Sequence, residues 1–222
     1  MEALSGAEWR RLASSGETVR LSLGQVLYKQ GDVKRYVYFP TDSYISQIST
    51  LAGSPRLEVG LIGAEGMAGA SVVLGVKVAP LHTLVQGAGT AFRVQIPQFV
   101  RGLARSPPLR EVINRYLYVR LSQLGQMPAC TRFHLVEARL ARWILMTRDR
   151  AHSDSFQMTH EYLAFMLGVR RASVTQAAAR LQKRGLIRYS RGAMVIVNGR
   201  GLETASCECY ATAERVYAQH MN

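Results

Sequence analysis

The stretch Thr159 to Ile187, THEYLAFMLGVRRASVTQAAARLQKRGLI, limits the architecture more than any other part of the chain. Tyr162, Leu163, Met166 and Leu167 recur at threes and fours, the stripe of a short amphipathic helix. Thr159 is placed to cap it, its hydroxyl accepting from first-turn amides, and Gly168 supplies the backbone freedom to end it in a sharp turn. A second helix follows, with Val174, Ala177, Ala178 and Leu181 as its buried face. Its opening turn shows Arg170, Arg171, Ser173, Thr175 and Gln176 outward. Arginine bonds guanine bidentately, glutamine pairs with adenine, and serine or threonine takes phosphate or base edges. Beyond Leu186-Ile187, two short alternating runs flank the tight turn Arg191-Gly192, which reads as a basic-tipped hairpin. Helix, turn, helix and hairpin make a winged helix-turn-helix. Arg170, Arg171, Ser173, Thr175, Gln176, Arg188, Arg191 and Thr159 are its candidate DNA contacts. The bland alternative is a helical hairpin with a solvated basic face, or a winged domain used for protein contacts.

The rest of the composition agrees with a polyanionic partner. A formal net charge of +13 and a pI near 10.2 favour nucleic acid, although membrane-surface proteins share the trait. Between Thr131 and Val197, 12 basic residues face only Glu137, Asp149, Asp154 and Glu161. Hydrophobic content of 48% against 19% charged describes a folded chain. No apolar run approaches the ~20 residues of a membrane span, and the N-terminus has no secretory pattern. Cys130, Cys207 and Cys209 are an odd number without framework spacing, so the expected compartment is the reducing cytoplasm.

Taken in order, residues 6–15 read as a short helix with Trp9 and Leu12 inward. From Glu17 the period becomes two, and short runs separated by Gly and Pro continue to Ile96, with one run closing at Gly53-Ser54-Pro55. Such a series indicates an antiparallel β-barrel or jelly roll. From Pro107 the period is helical again, through Leu109, Val112, Ile113, Tyr116, Leu117, Leu121 and Leu124, until Pro128 interrupts it. Its apolar positions exceed one stripe. One side covers the barrel while another meets a second copy, as in a two-stranded coiled coil, or the helix lies buried between two domains. Leu135 to Arg148 is a further helix, with Leu135, Leu140, Trp143, Ile144 and Thr147 facing a core. Asp149 to Phe156 reads as a polar loop, and a C-terminal helix runs through Tyr210 and Tyr217.

This order of parts resembles the Crp/Fnr superfamily of bacterial transcription regulators, over nearly the whole chain. The residues that carry the resemblance are Gly24-Gln25-Val26-Leu27-Tyr28 with Gly31, Tyr36 to Pro40, Gly63 to Gly69, Arg139 to Leu145 and Leu167 to Thr175. The resemblance implies an α+β chain. A cupin-like, cyclic-nucleotide-binding-like sensor barrel (1–106) precedes a dimerisation helix and hinge (107–130) and a winged helix-turn-helix (131–222). It implies a cytoplasmic homodimer on near-palindromic double-stranded DNA, with RNA polymerase as a further partner, no membrane and no enzymatic step. Aligned on Gly168, Arg171 falls at the guanine-reading arginine and Ser173 at the phosphate anchor. Ala172 and Gln176 depart from the glutamate and second arginine of many members, so base preference there differs.

The resemblance also frames the sensor. Its cyclic-nucleotide branch needs a glutamate and an Arg-Ser pair, because a buried phosphate requires a cation and donors. Met67 stands at the glutamate, and Leu81 and His82 at the pair, so cyclic AMP is not expected; Lys77 is the one cation that could stand in. Met67, Gly69, Leu81 and His82 remain the candidate effector pocket, for an unknown small molecule or for apolar filling. An iron-sulfur cluster needs cysteines near the N-terminus, and none precedes Cys130. Haem would rest on His82 alone and is not expected either. Cys207-x-Cys209 is too sparse for zinc, which wants four ligands; with Cys130 it could form a disulfide or hold a soft metal, and no metal site is assigned. The expected function is a sequence-specific regulator whose barrel controls recognition-helix geometry through a hinge near Gln126 to Thr131. The alternatives are a constitutive binder with a vestigial barrel, or a haem or redox sensor.

Overall fold

Alternating apolar residues build the N-terminal half of the chain into strands, as the period of two requires. A computed structural model describes residues 6–50 and 56–221, except for the side chains of residues 7, 9 and 11. Trp9 and the Gly53-Ser54-Pro55 turn therefore lie outside the described residues. After α1 (Gly6–Ala13) come β1 (Gly16–Leu21), β2 (Val26–Tyr28), β3 (Tyr36–Pro40), β4 (Tyr44–Ser49) and β5 (Leu57–Ile62). A 3-10 turn (Ala70–Leu74), β6 (His82–Gly87) and β7 (Gly89–Gln95) complete the series. Helices α2 (Ile96–Arg105), α3 (Pro107–Phe133) and α4 (Val136–Ala151) follow, then β8 (Ser155–Gln157), α5 (His160–Leu167) and α6 (Arg171–Lys183). The chain ends with β9 (Ile187–Ser190), β10 (Ala193–Ile196), α7 (Gly199–Ala205) and α8 (Cys209–Met221). It divides into two compact units. One comprises the residues up to 47, 60–122 and 216 onward, and the other 48–59 and 123–215.

In the first unit, β7 pairs antiparallel with both β1 and β3, placing Phe92 opposite Thr18 on one side and Phe39 on the other. A second sheet has the order β2-β6-β4-β5. Leu21, Tyr28, Tyr38, Ile45, Ile62 and Val85 come from six strands of the two sheets and form one buried core between them. That is the jelly-roll arrangement the short strands predict. Val37 and Phe39, one position out of phase with Tyr38, point the opposite way and pack with Phe99, Leu103, Ile113 and Tyr116 of α2 and α3. The period of two thus divides β3 between two cores. Each fully buried large side chain here contributes roughly 1.5–3 kcal/mol.

Several boundaries differ from the sequence reading. Helix α2 was unanticipated, although Pro97 in its first turn is a favourable start. Helix α3 runs unbroken through Pro128 to Phe133. The missing N–H removes only the bond to the Leu124 carbonyl, at an exposed residue where water can compensate. Leu135 is the N-cap of α4 and is 80% exposed, because the helix and its buried face begin one residue later. The expected polar loop from Asp149 holds the last turn of α4 and then β8, whose short polar flanks conceal it. Only Phe156, opposite Met194 of β10, is buried.

Candidate nucleic-acid interface

The reading unit is assembled on α4, which buries Leu140, Ala141, Trp143, Ile144 and Leu145 in one run. Its Arg139 is buried as well, and the guanidinium donates to the Leu167 carbonyl at the end of α5. A helix leaves its last carbonyls unpaired, and a guanidinium on the neighbouring helix answers one of them. Trp143 donates its indole N–H to Glu58 at 2.9 Å. Glu137, near the start of α4, accepts from Arg180 at 2.6 Å and Arg184 at 3.0 Å, fastening α4 to the far end of α6.

The turn between α5 and α6 forms as its residues dictate. Thr159 Oγ1 accepts from the Tyr162 amide at 3.1 Å, capping α5. Gly168 ends that helix at φ 63°, and an added Cβ there would lie 3.0 Å from Leu57. The left-handed conformation and the close approach both favour glycine. Helix α6 then opens at Arg170 without a side-chain cap and without an acidic residue in its first turn. Val174, Ala177, Ala178 and Leu181 are buried, so Arg170, Arg171, Thr175 and Gln176 stay exposed and Ser173 half-buried. Four of the five reading candidates therefore stand on the open side of the helix start.

The hairpin is held in register by Ala193 opposite Ser190 and Ile196 opposite Ile187, with β8 on the other side of β10. That register leaves Arg191 and Gly192 as a two-residue turn, at φ 48° and 85°. Positive φ at both positions is the type I′ geometry, whose twist matches the strands. Ile187 faces inward while Arg188 and Ser190 face outward, so Arg188 and Arg191 lie along the exposed wing.

A joint between helix and wing escaped the sequence reading. The His160 ring stacks on Tyr189 with centroids 4.2 Å apart, and its Nδ1 lies 3.0 Å from Thr175 Oγ1. The Thr175 hydroxyl donates to the Arg171 carbonyl at 3.1 Å, so in this conformation it serves α6 from within. Tyr189 donates its hydroxyl to the Met158 carbonyl, and its amide donates to Gln182 Oε1 at 2.7 Å. Burial, and then the Arg171 charge, hold the His160 imidazole below its ordinary value, favouring the neutral ring. His160 reads as one more polar residue at a helix start. Only the hairpin's position reveals its partner.

The cations sort into two groups. Arg139 is buried, Arg148 pairs with Asp149 and Glu203, and Arg180 and Arg184 share Glu137. Arg170, Arg171, Arg188 and Arg191 are exposed and form no ion pair among the described residues. The excess of basic residues counted from sequence therefore overstates the contact surface. Of what remains, Arg170 and Arg171 stand at the start of α6 and Arg188 and Arg191 on the wing, with Arg132 and Lys183 exposed elsewhere.

The proposed effector residues are not gathered in the same way. Met67 is 1% exposed and belongs to the core with α2 and α3, while Leu81 and His82 are half-buried. Gly69 lies beside Tyr28 and Val37 at φ 93°. A cleft of about 660 Å³ does exist in this unit, lined by Tyr28, Asp32, Lys34, Arg35, Tyr36 and Tyr38 among others. None of the four residues is among those lining it. Apolar Val72 is buried on the helix side and Leu74 is 69% exposed. Cys207 and Cys209, by contrast, are brought to Cys130 and to a fourth side chain that the sequence reading passed over, His134.

A three-helix core carrying an open, arginine-headed second helix and a basic hairpin is a winged helix-turn-helix module. Residues 138–205 match the Crp-like helix-turn-helix domain, and over most of its length the chain shares its fold with solved Crp/Fnr regulators. Among solved structures it is similar to the c-di-GMP-responsive global regulator CLP of Xanthomonas campestris, at 15% identity and TM-score 0.72, over 86% of this chain and 99% of that one. FixK2 of Bradyrhizobium japonicum shares 12% identity at TM-score 0.71, over 86% and 98%. A CRP/FNR-family transcriptional regulator of Thermus thermophilus shares 18% identity at TM-score 0.67, again over 86% and 98%. At these identities the likeness is one of fold. No curated protein matches the chain.

Proposed function

We propose that the chain is a cytoplasmic, sequence-specific DNA-binding transcription regulator acting as a homodimer. The observation that carries this reading is the set of four exposed arginines, without an ion pair among the described residues, two at an uncapped helix start and two on the wing. Phosphate or a guanine edge supplies the acceptors that such a surface lacks. In this reading Arg171 reads a base, with Arg170 and Gln176 beside it. Ser173 and the Thr159 end of α5 approach phosphate, Thr175 holds the start of α6, and Arg188 and Arg191 grip backbone.

Dimerisation is supported by α3, where Tyr118, Leu121 and Leu124 are exposed at helical spacing, Leu121 at 67%. The span 1–106 then acts as the sensor domain, 107–130 as the dimerising helix and 131–222 as the reader. Among the described residues no helix is long and apolar enough to cross a membrane.

A specific observation favours a second reading, a constitutive binder. Tyr28, Tyr38, Ile45 and Val85 pack together as a buried apolar core between the sheets.

Selection of operators from random DNA by the ligand-free protein tests both readings. An enriched inverted repeat supports the dimeric reader and favours constitutive binding. Enrichment of a single half-site overturns the dimer. On the selected site, Arg171→Ala is expected to cost ~1–3 kcal/mol of specific binding. Arg188→Ala or Arg191→Ala is expected to weaken all sequences alike and to lower the salt slope by ~1. Unchanged binding by Arg171→Ala would remove that residue as the base reader.

A further inference from the structure

Four side chains of the reading unit converge away from its arginine surface. Cys130 lies in the last turn of α3, and His134 stands just past its end, its amide donating to the Cys130 carbonyl at 3.2 Å. Cys207 stands in the link between α7 and α8, and Cys209 opens α8. The three sulfurs and His134 Nδ1 all lie within 4.8 Å of one another. The cysteines are buried, at 1%, 5% and 3% exposure, and all three are free thiols.

We propose that Cys130, His134, Cys207 and Cys209 form a closed, structural zinc site. Two of the six separations match a tetrahedron about one ion, and the others stay within 4.8 Å. With zinc–sulfur bonds of ~2.3 Å and a zinc–nitrogen bond of ~2.05 Å, tetrahedral edges are about 3.8 Å between sulfurs and about 3.6 Å from sulfur to nitrogen. The Cys130–Cys207 separation is 3.7 Å, and Cys209 Sγ lies 3.6 Å from His134 Nδ1. A disulfide would need its sulfurs at ~2.05 Å. Three thiolates and an imidazole are a closed donor set for zinc, with no position left for water.

The surroundings are those of a metal site as well. His134 Nε2 faces Glu208 Oε1 at 3.0 Å, the carboxylate partner that fixes a ligating imidazole with its other nitrogen turned to the ion. The Arg142 charge lies close enough to act on Cys130, Cys207 and Cys209. Arg142 also offsets the net negative charge that three thiolates leave on a divalent ion. All four ligands fall outside the matched segment 138–205, two before it and two after. They therefore fasten the end of α3 to the start of α8 as an addition to that module. This assignment stands on the four side chains and is independent of DNA reading.

The test is metal analysis of the untagged full-length protein purified from zinc-supplied cells, followed by cobalt(II) titration of the stripped chain. About one zinc per chain, together with the intense visible bands of tetrahedral thiolate-bound cobalt, is expected. His134→Ala and Cys207→Ser should lose those bands. Because either variant can fail to fold, Glu208→Gln is the second arm: it keeps all four ligands at an exposed position and should lower cobalt affinity about 10- to 100-fold. Metal-free protein with a native Cys130–Cys207 disulfide overturns the site. Iron in place of zinc overturns the choice of metal, and equal cobalt affinity in wild type and Glu208→Gln overturns the role of the carboxylate.

Discussion

The two compact units differ in where their exposed cations stand. In the reading unit, buried or paired cations such as Arg139, Arg180 and Arg184 set the helices, which leaves Arg170, Arg171, Arg188 and Arg191 outside and unpaired. In the sheet unit Lys34 and Arg93 turn to the protein, while Arg20, Lys29, Arg35 and Lys77 stay exposed. Lys34 is buried and donates to Ser71 Oγ and the Val78 carbonyl, both at 2.7 Å, and Arg93 pairs with Glu17 at 2.8 Å while lying over the Tyr36 ring. A surface prepared for an outside anion keeps its charges without internal partners. What distinguishes the reading unit is that four of its exposed arginines gather at one helix start and one hairpin.

That contrast can be broken most severely at Arg139. Arg139→Ala leaves the Leu167 carbonyl buried without its donor and is expected to cost ~1–3 kcal/mol of stability. Chemical denaturation of this variant against Arg171→Ala checks it, because the exposed Arg171 should change stability by no more than ~0.5 kcal/mol. Equal losses would mean that the sorting of structural from contacting arginines is wrong.

A smaller effect belongs to His160. Its folded value lies below the unfolded one, so between the two the unfolded chain binds more protons. Stability conferred by the neutral ring is full above about pH 6.5 and declines as pH falls through that range. An NMR titration should place the His160 midpoint below that of an unfolded peptide, and Arg171→Ala should move it upward. A midpoint that ignores Arg171 would detach the imidazole from the reading helix.

The smallest expected effect is zero. Cyclic AMP should not shift the melting temperature, since Met67 is packed among apolar side chains and Leu81 offers a phosphate no charge. A saturable upward shift would instead make the sheet unit a nucleotide sensor and erase the comparison.

The reading unit was largely legible in the sequence because its signals are local. A cap, a glycine and a period of 3.6 sit within 29 consecutive residues, and a two-residue turn between alternating runs fixes the wing. The pieces that escaped depend on partners distant in sequence. The stacking of His160 on Tyr189 spans 29 positions, and Cys130 lies 77 from Cys207, so no window holds both members. Helix α3 was cut short for a different reason. Proline is read as a stop, yet its cost here is one bond at a solvent-exposed turn. The succession of strands along the chain was legible, but neither their order in the sheets nor which face of each meets which core was. Met67 illustrates this, pointing into the helix-side core when an alignment would put it in a pocket.

Helix α6 begins with Arg170 and Arg171 and no capping oxygen, and this has a consequence for the protein when it is alone. Two cations sit at the positive end of a helix dipole, an arrangement unfavourable by roughly 0.3–1 kcal/mol for each charge. The free protein thus carries a small, built-in electrostatic frustration at the one place where a phosphate would relieve it. Relief of that repulsion would then be part of its affinity for a polyanion, because the ligand supplies the formed first turn with the acceptors that the sequence omits.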